Sequence, residues 1–300
     1  MTKLRIAAAI ILSVLSWAVT FPMITFAVAH LDPIPLAAVR FACAGLVCLI
    51  WLFATQAKVP KRQDFGTLLL FGMTGTFLYN VLLNTGQRTI SPGAASFIIG
   101  TVPILTMLLS WGLRKERIGK RVWFGAGVSL CGLACIATVQ PGGVALGSGA
   151  SLAFGAALSS AVFFMVQQPL VRSYGALTCT AYAVIIGGVL LLPWLGTGVR
   201  QILAEPAATL RILLPVIVFM ALFSAFLAHA SWAYVVAQLG PSVAARFLYL
   251  TPPTALMLEV VWTRAWPGSL TIIGGALAII GVVLASLPRS VSATVKGDLP

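Results

Sequence analysis

Residues 92–113 read PGAASFIIGTVPILTMLLSWGL, and residues 241–262 read PSVAARFLYLTPPTALMLEVVW. The first carries no charge over 22 residues, enough to cross a hydrocarbon core of roughly 30 Å as a helix. A constant shift of 149 residues pairs Pro92 with Pro241, Ala95 with Ala244 and Pro103 with Pro252. Working outward, the same shift pairs Phe77 with Phe226, Leu78 with Leu227, Gly125 with Gly274 and Gly132 with Gly281. Apolar sequences match one another cheaply, so the prolines and glycines carry most of the weight. Nearer the start of each half, Leu15–Phe21 lines up with Leu158–Phe164 at five of seven positions. The chain is therefore read as two copies of one unit.

Each copy is built from apolar runs. They fall at about 6–28, 34–55, 65–84, 92–113, 122–139, 150–170, 177–197, 210–236, 242–263 and 269–287. None shows the sustained period-two alternation of a membrane strand. Composition agrees: 60% of the 300 residues are hydrophobic, 8% are charged and the mean hydropathy is +1.03. A water-soluble domain carries about 25% charged residues, so lipid must face most of this chain. The expected fold is all-α integral membrane, with ten transmembrane helices in two five-helix repeats, 6–139 and 150–287, and a cytoplasmic tail, 288–300. Five is odd, so the second repeat enters the membrane from the opposite side and the repeats are inverted. Exchanging the conformations of such halves turns an inward-open state into an outward-open one. That property suits a transporter more than a receptor.

Charge sets the orientation. With the N-terminus inside, thirteen Lys and Arg fall on the cytoplasmic side, four fall outside, and Arg40 and Arg246 lie within runs. This bias in short loops predicts both termini in the cytoplasm of a bacterial cell. The net charge of +13 therefore reads as topology rather than a nucleic-acid footprint. The first run resembles a signal peptide, with Lys3 and Arg5 ahead of it. Its apolar stretch of about 21 residues is longer than a signal core, and the repeat requires it as a helix. The five cysteines, Cys43, Cys48, Cys131, Cys135 and Cys179, sit within apolar runs and read as small packing groups.

Six acidic residues are too few, and too scattered, for acid–base or metal chemistry. There is no phosphate-binding glycine loop and no nucleophile elbow. An enzyme and an ATP-driven pump are both disfavoured, and no cofactor is expected. The third run instead places Thr76, Asn80, Asn84 and Gln87 on one helix face. Such groups cannot face lipid without losing their hydrogen bonds. The face thus either bonds to neighbouring helices or lines a cavity, and the cavity is the preferred reading. The shift of 149 pairs Asn80 with His229. Trp232 lies beside His229, and Trp17 and Phe21 share a face of the first helix, with Phe164 aligned to Phe21. Arg40 and Arg246 are close enough to the ends of their runs to snorkel. Arg246, with Tyr249 on the same face, is the better candidate for a substrate carboxylate. Glu259 is expected to pair with Arg264. The candidate substrate-binding set is Trp17, Phe21, Asn80, Asn84, Phe164, His229, Trp232, Arg246 and Tyr249.

The chain resembles the EamA-type branch of the drug/metabolite transporter superfamily. The resemblance rests on Ser16-Trp17-Ala18 with Phe21-Pro22, on Asp32-Pro33-Ile34-Pro35-Leu36, and on Ala38-Val39-Arg40-Phe41. It continues through Ala94-Ala95-Ser96-Phe97, Pro103, Glu116-Arg117, Gly125 and Gly132, and again through Pro252, Gly274 and Gly281. It departs where an acidic residue would follow the ninth helix, since Ala265-Trp266 stands there. The resemblance implies ten helices and transport of small solutes such as amino acids, related metabolites or drugs. The expectation is a secondary transporter of small metabolites, an exporter, in the bacterial cytoplasmic membrane. Its partners would be a small-molecule solute and membrane lipid, with no nucleic acid. A drug efflux permease and a lipid or lipid-linked-sugar flippase are the alternatives on the same fold.

Overall fold

The computed structural model describes residues 2–115, 119–139, 145, 148–239 and 245–286. Glu116, Arg117 and the 288–300 tail lie outside them. Helix α1 covers Thr2–Val28 and α2 covers Pro33–Ala54. Helix α3 spans 62–86: a tight turn Arg62–Asp64, α-helix Phe65–Gly72, a wide π-helical stretch Met73–Leu78, and α-helix Tyr79–Gly86. Helix α4 joins Pro92–Ile99 to Val102–Arg114 across Gly100 and Thr101. Helices α5 and α6 are Lys120–Thr138 and Gly149–Tyr174. Helix α7 runs over Ala176–Leu191, tightens at Leu192–Trp194 and continues as Leu195–Ala204. Helix α8 comprises Ala207–Phe219, a second π-helical stretch Met220–Leu227, and Ala228–Leu239. Helix α9 begins with the tight turns Ala245–Leu250 and continues as Thr251–Thr263, and α10 is Ser269–Ser286. No strand occurs among the described residues.

Eight of these helices, α1 to α8, are long and apolar enough to cross a membrane, and α10 contributes a shorter apolar helix. Their outward faces keep large apolar side chains exposed, among them Phe53, Leu113, Phe124 and Val261. Lipid contact, not a packing defect, explains that surface. Proline marks several starts, because its missing N–H is one that a first turn leaves unbonded anyway. Pro33 and Pro92 open α2 and α4, and Ser91 Oγ accepts the Ala94 N–H at 3.2 Å.

Helix contacts come in matched sets. α3 packs on α6 as α8 packs on α1; α4 packs on α6 as α9 packs on α1. α2 packs on α7, α4 on α9 and α5 on α10. The α5–α10 contact is backbone on backbone. A Cβ at Gly125 would strike the backbone of Gly281 and Ala285, and one at Gly132 the backbone of Gly274 and Ala278. Small residues at this spacing let two helices approach closely in lipid, where dispersion rather than hydrophobicity drives association. On the other side of the bundle, a Cβ at Gly75 would enter the ring of Phe163, which stacks on Phe71 at 4.2 Å between centroids.

Candidate functional site

Helix α2 carries Arg40 into the bundle, where the residue is 5% exposed. Its Nε donates to Met220 O at 3.2 Å, one terminal nitrogen donates to Asn80 Oδ1 at 3.2 Å, and the other to Ser224 Oγ at 3.3 Å. The guanidinium also lies over the Phe41 ring, 5.0 Å from its centroid. Arg40 therefore does not snorkel to an interface, as its distance from Pro35 suggested. The polar side of α3 and a turn of α8 meet it inside the bundle and satisfy its donors there.

The two π-helical stretches explain why acceptors are available. A π turn widens the helix and turns carbonyls away from regular i to i−4 bonds, a geometry frequent at functional sites. In lipid each freed carbonyl needs a partner. Thr74 O accepts from Ser159 Oγ at 2.8 Å and Thr76 O from Asn80 Nδ2 at 2.7 Å. On the α8 side, Met220 O takes Arg40, and Ser224 O lies 3.0 Å from His229 Nδ1. That contact places a proton on Nδ1 and leaves Nε2 as the acceptor of the neutral ring. The edge of Trp17 meets His229 at 5.2 Å between centroids and Trp232 at 5.6 Å. Trp17, Asn80, His229 and Trp232 are thus joined through Arg40 and Ser224 in one polar and aromatic group.

The rest of the expected set is more dispersed. Asn84 is fully buried, and its Nδ2 donates to Pro33 O at 3.2 Å. Gln87 Nε2 donates to Phe21 O at 2.9 Å and to Thr25 Oγ1 at 3.1 Å. The polar face of α3 is accordingly closed against α1 and α2 in this conformation by interhelical bonds. The carbonyl oxygens Asn84 Oδ1 and Gln87 Oε1 are buried and have no partner among the described residues. Phe21 sits in the packed core with Ile24, Leu83 and Ile217. Phe164 and Tyr249 pack on a second cluster around Val102, Leu105 and Ala161. The backbone of Arg246 lies in the first turns of α9, while its side chain lies outside the described ones. No group of three or more His, Cys, Asp or Glu that would hold a metal occurs among the described residues.

Glu259 corrects a second expectation. Its carboxylate accepts the Gly93 N–H at 2.5 Å and lies 3.5 Å from Ser91 Oγ, so it caps the start of α4. Arg264, five residues on, ends α9 in a left-handed conformation and is exposed. Residues five apart do not share a helix face, whereas three or four apart do. The unbonded N–H groups at the α4 start offer the carboxylate a nearer partner.

Short links close both ends of the bundle. Asp32 binds Arg88 at 2.5 Å and accepts from Gln201 Nε2 at 2.6 Å, while the Asp32 N–H donates to Gln201 Oε1 at 3.1 Å. His30 and Glu205 lie 3.3 Å apart beside them. At the other end Tyr174 Oη bonds Asp64 and accepts the Lys61 N–H at 2.9 Å, and Tyr182 Oη donates to Lys58 O at 3.3 Å. The Asp64 carboxylate on its hydroxyl raises the Tyr174 phenol above its ordinary range. The bond from Gln201, then that from Arg88, holds the Asp32 carboxyl below the usual carboxylate range. A lowered carboxyl stabilises the fold above its unfolded value and loses that contribution as pH falls through the folded one. The Arg88–Asp32 pair is about half exposed, and exposed pairs contribute about 0.2–1 kcal/mol. Asp32→Asn should therefore lower the unfolding temperature only slightly at neutral pH and not at all in strong acid. Thermal unfolding of both proteins across that pH range checks this. A large loss at neutral pH would mean that Asp32 does more than this pairing.

Comparison with known proteins adds to this geometry. The model of the EamA-like transporter family matches residues 4–138 and again 147–287. A probable terminal-alkyne amino-acid exporter of Streptantibioticus cattleyicolor is 32% identical over 92% of this chain and 91% of its own. The uncharacterized transporter YdfC of Bacillus subtilis is 31% identical over 89% of this chain and 86% of its own. A solved crystal structure, 20% identical, superposes with a TM-score of 0.61 over 93% of this chain and 96% of that one, a likeness of fold alone.

Proposed function

The chain belongs to the EamA-like transporter family, and from that premise we propose that it is a secondary transporter exporting small metabolites such as amino acids by alternating access. At the coarser level it is a multi-pass integral membrane transporter of the bacterial inner membrane. One observation carries the finer reading. In a chain with 8% charged residues, buried Arg40, Asn80 and Ser224 and partly buried Trp17, His229 and Trp232 gather at the crossing of α1, α2 and α3 with α8. Polar groups are expensive in lipid and mark solute pathways. Trp17, Asn80, His229 and Trp232 would meet the solute there, with Asn84 one turn along α3. Phe21 packs in the core, and Phe164 and Tyr249 pack on a separate cluster, away from that group.

The matched helix contacts support ten spans in two inverted repeats. A twofold in the membrane plane turns an α3–α6 contact into an α8–α1 contact, and it places Gly125 on Gly281 wherever Gly132 meets Gly274. The π-helical stretches also fall at corresponding places under the shift of 149. No acidic side chain among the described residues binds Arg40 or His229, which counts against a dedicated exporter of cationic drugs.

Counterflow of radiolabelled amino acids into proteoliposomes tests the activity. Solute-dependent exchange is expected, and its absence across metabolites that stabilise the purified protein would overturn the reading. Cysteine at position 80 or 84, in a protein lacking its five native cysteines, should react with a small water-soluble thiol reagent in one transport state. Protection of both positions in every state would refute the solute path along α3. Reporter fusions within 143–149 and at Glu205–Pro206, between α7 and α8, should report the side of the membrane away from the cytoplasm. Cytoplasmic signals from both would refute the topology.

A further inference from the structure

The Arg40 guanidinium is a buried charge, and its three hydrogen-bond partners among the described residues are all neutral: a backbone carbonyl, an amide oxygen and a hydroxyl. At 3.2, 3.2 and 3.3 Å these bonds are long beside the roughly 2.7–2.9 Å of a guanidinium on a carboxylate. The acids of the chain are engaged elsewhere. Asp32 faces Arg88 and Gln201, Asp64 faces Tyr174, Glu205 faces His30, and Glu259 faces Gly93. Glu116 and Asp298 lie outside the described residues and outside the apolar runs. A buried cation without its anion is costly to keep, and a hydrophobic residue of similar volume would be less so.

We propose that Arg40 is the anion-binding residue of the transport path, docking the carboxylate of the cargo on its two terminal nitrogens in place of Asn80 Oδ1 and Ser224 Oγ. The proposal rests on the transporter reading above and deepens it. The planar fork of a guanidinium matches a carboxylate with two parallel bonds. Met220 O holds Nε from behind, so the fork is oriented before cargo arrives. The partners to be displaced belong to different halves of the chain, Asn80 to α3 and Ser224 to α8. Cargo-free, Arg40 bonds both Met220 O and Ser224 across the halves; cargo-bound, it gives up Ser224 and keeps Met220 O, so binding loosens a contact that alternating access must break. A second atom fits the same cargo. The bond from Asn84 Nδ2 to Pro33 O fixes which end of that amide is oxygen, and the oxygen is left buried and unpartnered. It lies one turn, about 6 Å, along α3 from Asn80 and can accept from an ammonium or amide N–H. Trp17 and Trp232, joined to this group through His229 and Ser224 O, offer the apolar surface of the same site.

The test compares the full-length wild type with Arg40→Gln and Arg40→Lys, using thermal shift and counterflow. The probes are the common L-amino acids and the matching amino-acid amides, which lack the carboxylate. At least one amino acid at millimolar concentration should stabilise the wild type, and its amide should not. Arg40→Gln should weaken that amino acid by about ten- to a hundredfold, the effect expected of one charged hydrogen-bonding contact. Without solute, Arg40→Gln gives up bonds to Met220 O, Asn80 and Ser224 and should unfold below the wild type, so each shift is taken from the variant's own solute-free value; a residue that only holds the bundle together would leave the preference for acid over amide unchanged. Arg40→Lys, with charge but no fork, should retain part of the affinity, and it decides the matter if the Gln variant does not fold. Equal affinity of wild type and Arg40→Gln, or of acid and amide, overturns the anion site. Exchange of acids and amides alike would remove that site and leave the transporter standing; exchange of neither removes both.

Discussion

Leucine at Gly132 is expected to prevent recovery of folded protein, or to lower its unfolding free energy by about 3 kcal/mol or more. The Cβ would press on Gly274 O and the Ala278 backbone, and neither can move aside as a flexible side chain would. Overpacking against side chains typically costs 1–3 kcal/mol, and against backbone it requires α5 and α10 to separate along the whole contact. Gly127, on the same helix, is exposed and has nothing within 4 Å of a Cβ, so Gly127→Leu is the control and should behave as wild type. Thermal unfolding of detergent-solubilised fusions separates the two. Equal stability of Gly132→Leu and Gly127→Leu would mean that α5 and α10 do not pack as described.

A loss of about 3 kcal/mol is expected for Asn80→Leu, which takes an acceptor from a buried guanidinium and the Nδ2 donor from Thr76 O. Arg40→Met alone leaves Asn80 Oδ1 and Met220 O without their donor, a cost of about 1–3 kcal/mol for each buried group. The double variant Arg40→Met with Asn80→Leu removes charge and partner together. It should be more stable than the sum of the single losses predicts, with a coupling of at least about 1 kcal/mol. It should nonetheless fail to transport. Additive losses would show that the two side chains do not share a bond in the folded protein. Recovered stability with full transport would separate this pair from the solute path.

The architecture was largely legible, because period, length and the prolines of each run depend on the chain alone. The site was legible only where one helix carries it. Asn80 and Asn84 were singled out by their spacing, Trp17 by the face it shares with Phe21 and Trp232 by its place beside His229; that the two tryptophans meet was not legible. Arg40 was misjudged because its distance to Pro35 measures reach to an interface and says nothing about what stands across from it. A usable signal did exist. Arg40 lies seven residues into α2 and Asn80 six before the end of α3, so both sit about 10 Å below the same end of the bundle. Ser224 was missed because one serine in an apolar run reads as packing. The π-helical stretches Met73–Leu78 and Met220–Leu227 carry no sequence pattern that marks a π turn, and tertiary bonds to their carbonyls reveal them. Glu259 was assigned to Arg264 by nearness in sequence, though its partner lies 166 residues away.

A π turn also acts as a phase shifter. It accommodates one residue more than the α-helix needs, and each residue rotates a helix by about 100°. Everything after Met73–Leu78 is therefore set about 100° round from where an unbroken α3 would leave it. Asn80, Asn84 and Gln87 meet α1 and α2 only with that offset in place. Deleting a single residue between 73 and 78 would restore a regular helix without removing any of the three side chains. It would swing the whole column of amides out of register, toward hydrocarbon that offers no hydrogen bond. In that stretch the number of residues carries as much information as their identity.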